Sequence, residues 1–595
     1  MHDGNPNPNA IRRVGGHGPD AYTYIPALII GAGAAGIAAA RALKRALPST
    51  QFRLVDRHAG VGGTWWINRY PGVACDVPSP VYSFSWAEAT GLGFYPEGEE
   101  ILEYLEGVCA REGLWRDVQL GVECRELKWV ETEGCWEAEL WHLAPGVGEW
   151  SWRERERAER VRARVVLSAV GVLAEPKGWP EEVPGREKFE GEVFHAARWE
   201  HGVDFGGKNV VVVGTGCSAA QFVPKLINEM GVRKVTQVMR SPPWVVPRQE
   251  PPGGDEWWRR GRPTLLTHVP GLSRVLRMLV FAHLEYDFRL FKDGEWSKNE
   301  RKKVEKALLE HMRKAVPEKY HEMLTPDYSV GCKRRILDAQ WFPALQDPRL
   351  ELTTQALTAV NENSVTLGPG RTYPKNCGGD EPERTVPADV IILSNGYEAT
   401  KWFHGLKVIG RDGELLTAVM EQRGGPQAYQ GIAMDGFPNF FIVPGPNCAT
   451  GHSSAILAAE NTVSYAVKCI KLVLQGDAAM VEVKREAEEE YTRDIQRSLK
   501  NTVFTTGGCN SWYFDKSGWN STTYPYSQIW FTLRCMFPKW ADWNIVYTKK
   551  GLMRLYLQQA LRMLGLVLIL TGASRAYRKG SGWQVQRLAS MPQLW

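Results

Sequence analysis

The chain alternates short, unbroken apolar runs with stretches of helical spacing. Residues 24–30, Tyr-Ile-Pro-Ala-Leu-Ile-Ile, are too few for a helix and lack polar alternation, which predicts a strand buried on both faces. A glycine-rich turn and an Ala-rich helix through about Leu47 follow, then a second strand from Gln51 to Val55 that ends at Asp56. The pattern starts again at Asn209-Val-Val-Val-Val213, with another glycine-rich turn and a strand from Lys234 to Met239. Val165 to Gly171, then Pro176 and Pro184-Gly185, read as a strand and crossover leaving the first unit. Asp389 to Leu393 reads as the strand returning to it. Between Pro251 and about Tyr328 the apolar spacing becomes helical, over Val275 to Phe291 and Asn299 to Met323, with Lys- and Glu-rich faces.

The two glycine-rich turns carry the chemistry. Gly31-Ala32-Gly33-Ala34-Ala35-Gly36 stands between a strand and a helix, the setting in which backbone can approach a pyrophosphate over a helix N-terminus. Asp56, at the end of the next strand, suits a ribose with a free 2′-hydroxyl, as in FAD. The second turn, Gly214-Thr215-Gly216-Cys217-Ser218-Ala219, leads to a strand that ends in Arg240-Ser241. A guanidinium there clamps a 2′-phosphate that a carboxylate would repel. The contrast assigns FAD to the first site and NADPH to the second, although Arg57 adjoins Asp56. The expected fold is therefore α/β, with two dinucleotide-binding Rossmann-like domains, a helical insertion and a C-terminal extension. The first FAD-binding part spans residues 22–185, and the NADP-binding domain 195–375 with its insertion at about 251–328. The second FAD-binding part spans 385–480, and a substrate-side segment 481–595.

Bulk properties narrow this reading. A net charge of +5 over 595 residues, without a long basic tract, gives no case for nucleic acid. Packing accounts for most of the 24 Trp, an aromatic-lined pocket for the rest. The eleven cysteines are odd in number and none forms C-x-x-C, which speaks against a disulfide framework, a metal site and a dithiol redox centre. Flavin disulfide reductases share the two-site layout but need such a pair, and so drop out. The polar start, Met1 to Pro6, has no signal-peptide pattern, so a cytoplasmic setting is expected. Met563 to Thr571 is almost wholly apolar, with Arg562 before it and Arg575, Arg578 and Lys579 after it. That is short of the roughly 20 residues that span a bilayer. The expectation is an amphipathic helix on the enzyme's own surface, with membrane association as the second reading.

Two further patterns carry a resemblance. Phe189-x-Gly191-x-x-x-His195-x-x-x-Trp199 precedes the second glycine-rich turn. Gly62-Gly63-Thr64-Trp65, Tyr70-Pro71-Gly72 and Asp76 follow the first unit. Together they closely resemble the signatures of the type I Baeyer–Villiger monooxygenases, and the similarity runs from about Tyr24 to about Trp540. The resemblance implies an enzyme that takes hydride from NADPH to FAD, reacts with O2 to form a peroxyflavin, and inserts oxygen beside a ketone carbonyl, giving an ester or lactone. It implies that Gly63, Thr64, Trp65 and Tyr70 wrap the flavin and that Asp76 lies near its reactive ring. In Gly331-Cys332-Lys333-Arg334-Arg335 it places Arg334 over the flavin and Lys333 on the NADPH phosphate, with Arg335 as the competing choice. Cys509-Asn510-Ser511-Trp512-Tyr513 resembles the segment whose Trp meets the nicotinamide nucleotide. Gly436-Phe437-Pro438-Asn439, Gly445-Pro446-Asn447 and Gly451-His452-Ser453-Ser454 resemble the segment on the flavin's far side. His195 is then a linker residue coupling nucleotide binding to domain motion. Glu200 after Trp199, and Ser394-Asn395-Gly396 where Ala-Thr-Gly is usual, depart from the pattern. N- and S-oxygenases, NADPH oxidases and a non-catalytic flavin-binding partner protein share the framework and remain open at this level.

Overall fold

The computed structural model describes residues 7–15, 21–144, 155–269, 271–338, 340–369 and 382–589. The polar start at Met1 and the domain boundary expected near residue 375 fall outside them.

The first sheet is built on the central strand Tyr22–Ile30, whose last six residues are buried. It pairs in parallel with Phe52–Asp56 on one side and Arg155–Ser168 on the other. Val118–Leu120 extends the sheet beyond Phe52–Asp56, and the antiparallel strands Val122–Val130 and Cys135–Leu143 continue it past Arg155–Ser168. Two late segments complete it in parallel: Phe440–Ile442 on Arg155–Ser168 and Lys407–Ile409 on Val122–Val130. The helix Ala34–Ala46 covers this sheet and packs against the buried helix Ala455–Leu474 in one apolar cluster.

The second sheet is wholly parallel, in the order Leu350–Thr353, Lys234–Val238, Asn209–Val213, Val390–Leu393, Glu192–His195. Val390–Leu393, expected to close the first domain, lies instead inside the second. The His195 segment, expected as a linker, forms the second sheet's edge strand. The reason is visible at the two glycine-rich turns. Gly31 has φ +104 and comes so close to Ala169, just past Arg155–Ser168, that a Cβ would sit 2.5 Å from the Ala169 oxygen. Gly214 has φ +124 and stands in the same relation to Ser394, at 2.4 Å. Val165–Gly171 and Val390–Gly396 are thus the same part in two copies, one per domain.

The insertion carries helices Arg262–His268, Leu272–Tyr286 and Glu295–Ala315, close to the helical spans the spacing predicts. It lies across the first domain: Arg262 donates to the carbonyls of Thr90 and Leu92, and Arg277 to those of Pro80 and Ser83. Glu285 receives His452 Nε2 at 3.0 Å and the backbone N–H of Gln528 at 3.3 Å, tying insertion, first domain and C-terminal segment together.

Candidate active site

Both nucleotide-facing helices start bare. Ala34–Ala46 begins at Gly33 and Cys217–Asn228 at Gly216, each without a side-chain cap and without an acid in its first turn. First-turn N–H groups left open in this way are anion sites. A Cβ built on Gly216 would meet no atom within 4 Å, which leaves the space a pyrophosphate needs. At the first turn, Gly62 N–H donates to Ala32 O at 2.9 Å, and a Cβ on Gly63 would lie 2.9 Å from Gly33 Cα. The Gly-Gly-Thr-Trp loop is thereby fastened to the phosphate turn. Thr64 starts the short helix Thr64–Ile67, and the Trp65 indole donates to the Tyr82 hydroxyl at 3.0 Å.

Asp56 is buried beside this turn. Its Oδ2 accepts from Ala32 N–H at 2.7 Å, and its Oδ1 lies 2.8 Å from both the backbone N–H and ring Nδ1 of His58. Burial alone would raise the carboxyl; His58 and the two N–H groups outweigh it and hold the group below its ordinary range. The acid therefore stays ionised and fixes the Gly-rich turn, with lone-pair capacity left for a ribose hydroxyl. These residues fit FAD.

At the second turn, Arg240 is exposed just past the strand Lys234–Val238, and Thr215 is buried in the turn. Lys333 Nζ lies 2.8 Å from Ser241 Oγ and 4.6 Å over the Tyr328 ring. Burial, and then the Arg240 charge, push the Lys333 ammonium down to about 8. Two cations and a hydroxyl converging at this strand end make a receptor for a phosphate dianion, which fits NADPH. Ser218, in the first helical turn, faces the Tyr70 hydroxyl. Tyr70 has a further role. Its hydroxyl donates to Gln221 Oε1 at 2.8 Å and its buried ring meets Phe222 at 5.9 Å, so it pins the first domain's loop to the second domain's helix.

Between the two turns Arg334 grips Asp76. Arg334 Nε donates to Asp76 Oδ2 at 2.9 Å and Nη2 to Oδ1, a bidentate pair. The Asp76 charge, opposed by burial and reinforced by these bonds, drives the guanidinium far above its ordinary range, so Arg334 is a permanent cation. Arg335 pairs with Asp287 of the insertion at 2.9 Å, which separates the two arginines that the sequence left interchangeable. Trp512 is partly exposed and its ring lies 4.7 Å from that of Tyr513. Burial pushes the Tyr513 hydroxyl up to about 12, with Arg334 pulling the other way, so a neutral phenol stands near the cation. The motif that contains Tyr513 gives a role to Trp512 alone, and only the fold brings the phenol to Arg334.

The cysteine reading needs correction. Cys332 and Cys509, 177 residues apart, form a disulfide with Cα atoms 6.1 Å apart. Local spacing cannot reveal a pair that only the fold brings together. The bond ties the loop of Lys333 and Arg334 to the loop of Trp512. His195 is buried; its Nδ1 accepts from Ala197 N–H at 3.0 Å, and burial lowers it to about 4. A histidine neutral above that pH is a capping group and supplies no imidazolium to the reaction. Phe189 packs in one apolar cluster with Val211 and Ile391 of the second sheet, and Trp199 stacks on Phe205 with the tilted Phe222 ring 5.2 Å away.

Known proteins share this arrangement. Residues 29–91 match the NAD(P)-binding Rossmann-like domain family and residues 95–256 the flavin-binding monooxygenase-like family. A Baeyer–Villiger monooxygenase of Pseudomonas aeruginosa is 33% identical over 510 residues, covering 85% of this chain and 89% of that protein. The closed crystal structure of cyclohexanone monooxygenase superimposes with a TM-score of 0.72 at 22% identity, covering 88% of this chain and 99% of that one. The structure of OTEMO in complex with FAD and NADP gives 0.69 at 21% identity, over 88% and 99% of the two chains.

Proposed function

Because this chain belongs to the Baeyer–Villiger monooxygenase family, we propose that it uses FAD, NADPH and O2 to insert one oxygen atom beside the carbonyl of a bulky apolar ketone, giving an ester or lactone. The observation that carries the reading is the Asp76–Arg334 pair, set between a bare helix N-terminus with an ionised acid and a second one with two cations. The first site, with Gly31, Gly33, Gly36, Asp56 and Gly63, holds FAD; the second, with Gly214, Gly216, Arg240, Ser241 and Lys333, holds NADPH. Bound there, the two cofactors supply hydride and oxygen activation.

The chain's own residues do the rest. Arg334, cationic at every working pH, faces the negative charge that develops on the attacked carbonyl oxygen. Asp76 orients the guanidinium through two bonds and so prevents it from swinging away. Trp512 and Tyr513 approach the site from the C-terminal segment, with the Tyr513 phenol buried near Arg334. Trp65 and Tyr82 pack edge to face in the loop that follows the first turn. We assign the reaction to the cytosolic side, with ketone and O2 as the small-molecule partners.

The test is aerobic NADPH oxidation by the purified yellow protein over a panel of cyclic and aryl ketones, with products identified by mass spectrometry. Ketone-dependent oxidation and an ester or lactone one oxygen heavier than the substrate are expected. Oxygen found only on nitrogen or sulfur, or peroxide alone, would replace the carbonyl chemistry with that of the related oxygenases or oxidases.

A further inference from the structure

In the helix Lys549–Ala589, the large apolar side chains from Tyr556 to Leu570 stand away from the enzyme. Within Lys549–Thr571 the most apolar stretch of 18 residues has a mean hydropathy of 1.3, and none of it is buried. Met553 is 74% exposed and Met563 70%. The expected helix lying on the enzyme's own surface is therefore turned the other way round.

The turn has a definite sense. At about 100° per residue, Leu552, Tyr556, Met563 and Val567 form one stripe with Leu557 and Leu564 beside it, an apolar face about half the circumference wide. Arg554, Gln558 and Arg562 occupy the opposite side, broken by Leu566 and Ile569. Only the first turn of this side meets the protein; Gln558 and Arg562 are exposed. Arg554 Nη1 pairs with Asp477 Oδ2 at 2.7 Å, and the backbone at Gly551 packs so closely that a Cβ would lie 1.8 Å from Asp477 O. With the helix rooted at this end, the apolar side chains from Tyr556 to Leu570 have no intramolecular partner to bury them, and a face of this width is a docking surface.

Charge selects the occupant. The 41 residues of the helix include eight Lys and Arg and no Asp or Glu. A second copy of the same helix would bring like charges together, whereas anionic lipid headgroups complement them. The chain just before the helix adds exposed aromatics, Trp530, Phe537 and Trp540, the residue type that settles at a membrane–water boundary. We propose that this face docks the enzyme on an anionic phospholipid bilayer, with the helix in the interface plane, its apolar side in the acyl boundary and its cations at headgroup level. The inference is independent of the reaction assigned above.

Flotation tests it. Full-length holoenzyme is mixed with phosphatidylcholine vesicles doped with phosphatidylglycerol, and separately with pure phosphatidylcholine vesicles. At least about tenfold stronger partition onto the doped vesicles is expected, weakening as salt is raised. Leu564→Asp combined with Leu568→Asp changes exposed side chains only; it should lower partition about tenfold or more while flavin content and NADPH oxidation stay unchanged. Arg562→Glu should reduce the preference for anionic vesicles and leave the phosphatidylcholine baseline alone. Failure of the wild-type enzyme to float with anionic vesicles at low salt, or undiminished flotation of the double variant, overturns the proposal. So does a wild-type dimer that the double variant splits into monomers, which would make a second copy the occupant.

Discussion

Asp76→Ala isolates the positioning of Arg334 from its charge. Two charge-assisted bonds hold the guanidinium, each worth about 1.5–3 kcal/mol when dry. The side chains are 38% and 25% exposed, so solvent screens the pair and about 1.5–2 kcal/mol of orienting free energy is the reasonable share. At about 1.36 kcal/mol per decade, that is roughly a 10- to 30-fold loss in the rate of ester formation. Arg334 keeps its charge in this variant, so FAD retention and ketone-independent NADPH oxidation should change little. Single-turnover product analysis, with peroxide released per NADPH measured in parallel, reads both quantities. Ester yield should fall while peroxide rises in proportion. A variant that keeps its ester-to-NADPH ratio within about twofold of wild type would show that Asp76 does not position Arg334, and the argument from the pair would fail.

Arg334→Ala removes the cation itself and should abolish ester formation, by about a hundredfold or more, while the protein stays yellow; normal ester formation would end the assignment. Lys333 sits at about 8 in the free enzyme, and its charged form is the phosphate-binding one. NADPH affinity should therefore weaken as pH rises through 8, and Lys333→Arg should flatten the titration measured by nucleotide-binding fluorescence. Cys509→Ser should loosen the loop around Trp512, read as faster hydrogen exchange over residues 503–515, and dithiol treatment of the wild type should reproduce it. Gly36→Ala should leave the protein without FAD, because the added Cβ would sit 1.8 Å from Gly31 O and the first turn cannot close around it.

What the sequence made legible was local. The strand–turn–helix at Gly31–Gly36, the acid at Asp56 and the cation at Arg240 each sit within one short stretch, and spacing alone places them. Partnership across the chain was another matter. Periodicity identifies Val390–Leu393 as a strand but says nothing about its neighbours, so it was assigned to the wrong sheet. Tyr70 belonged to a flavin-loop motif, yet its position depends on Gln221 and Phe222, some 150 residues on. Cys332 and Cys509 carry no local signature at all. The terminal helix shows its apolar run in the sequence, but only the fold reveals that it is anchored at its first turn, by Arg554 on Asp477, and exposed beyond it.

The interleaved first sheet also dictates an order of biosynthesis. Strand Arg155–Ser168 must wait for Phe440–Ile442 before that edge is paired, while the second sheet, from Glu192 to Leu393, is contiguous in the chain. At about 5–20 residues per second the ribosome needs roughly 15 to 55 s to supply the missing strand. The second sheet is complete once Leu393 has been made, about 50 residues before Ile442, while the first still presents an open, apolar sheet edge to the cell. The first sheet, which carries the flavin site, is thus completed after the second, although it is begun before it.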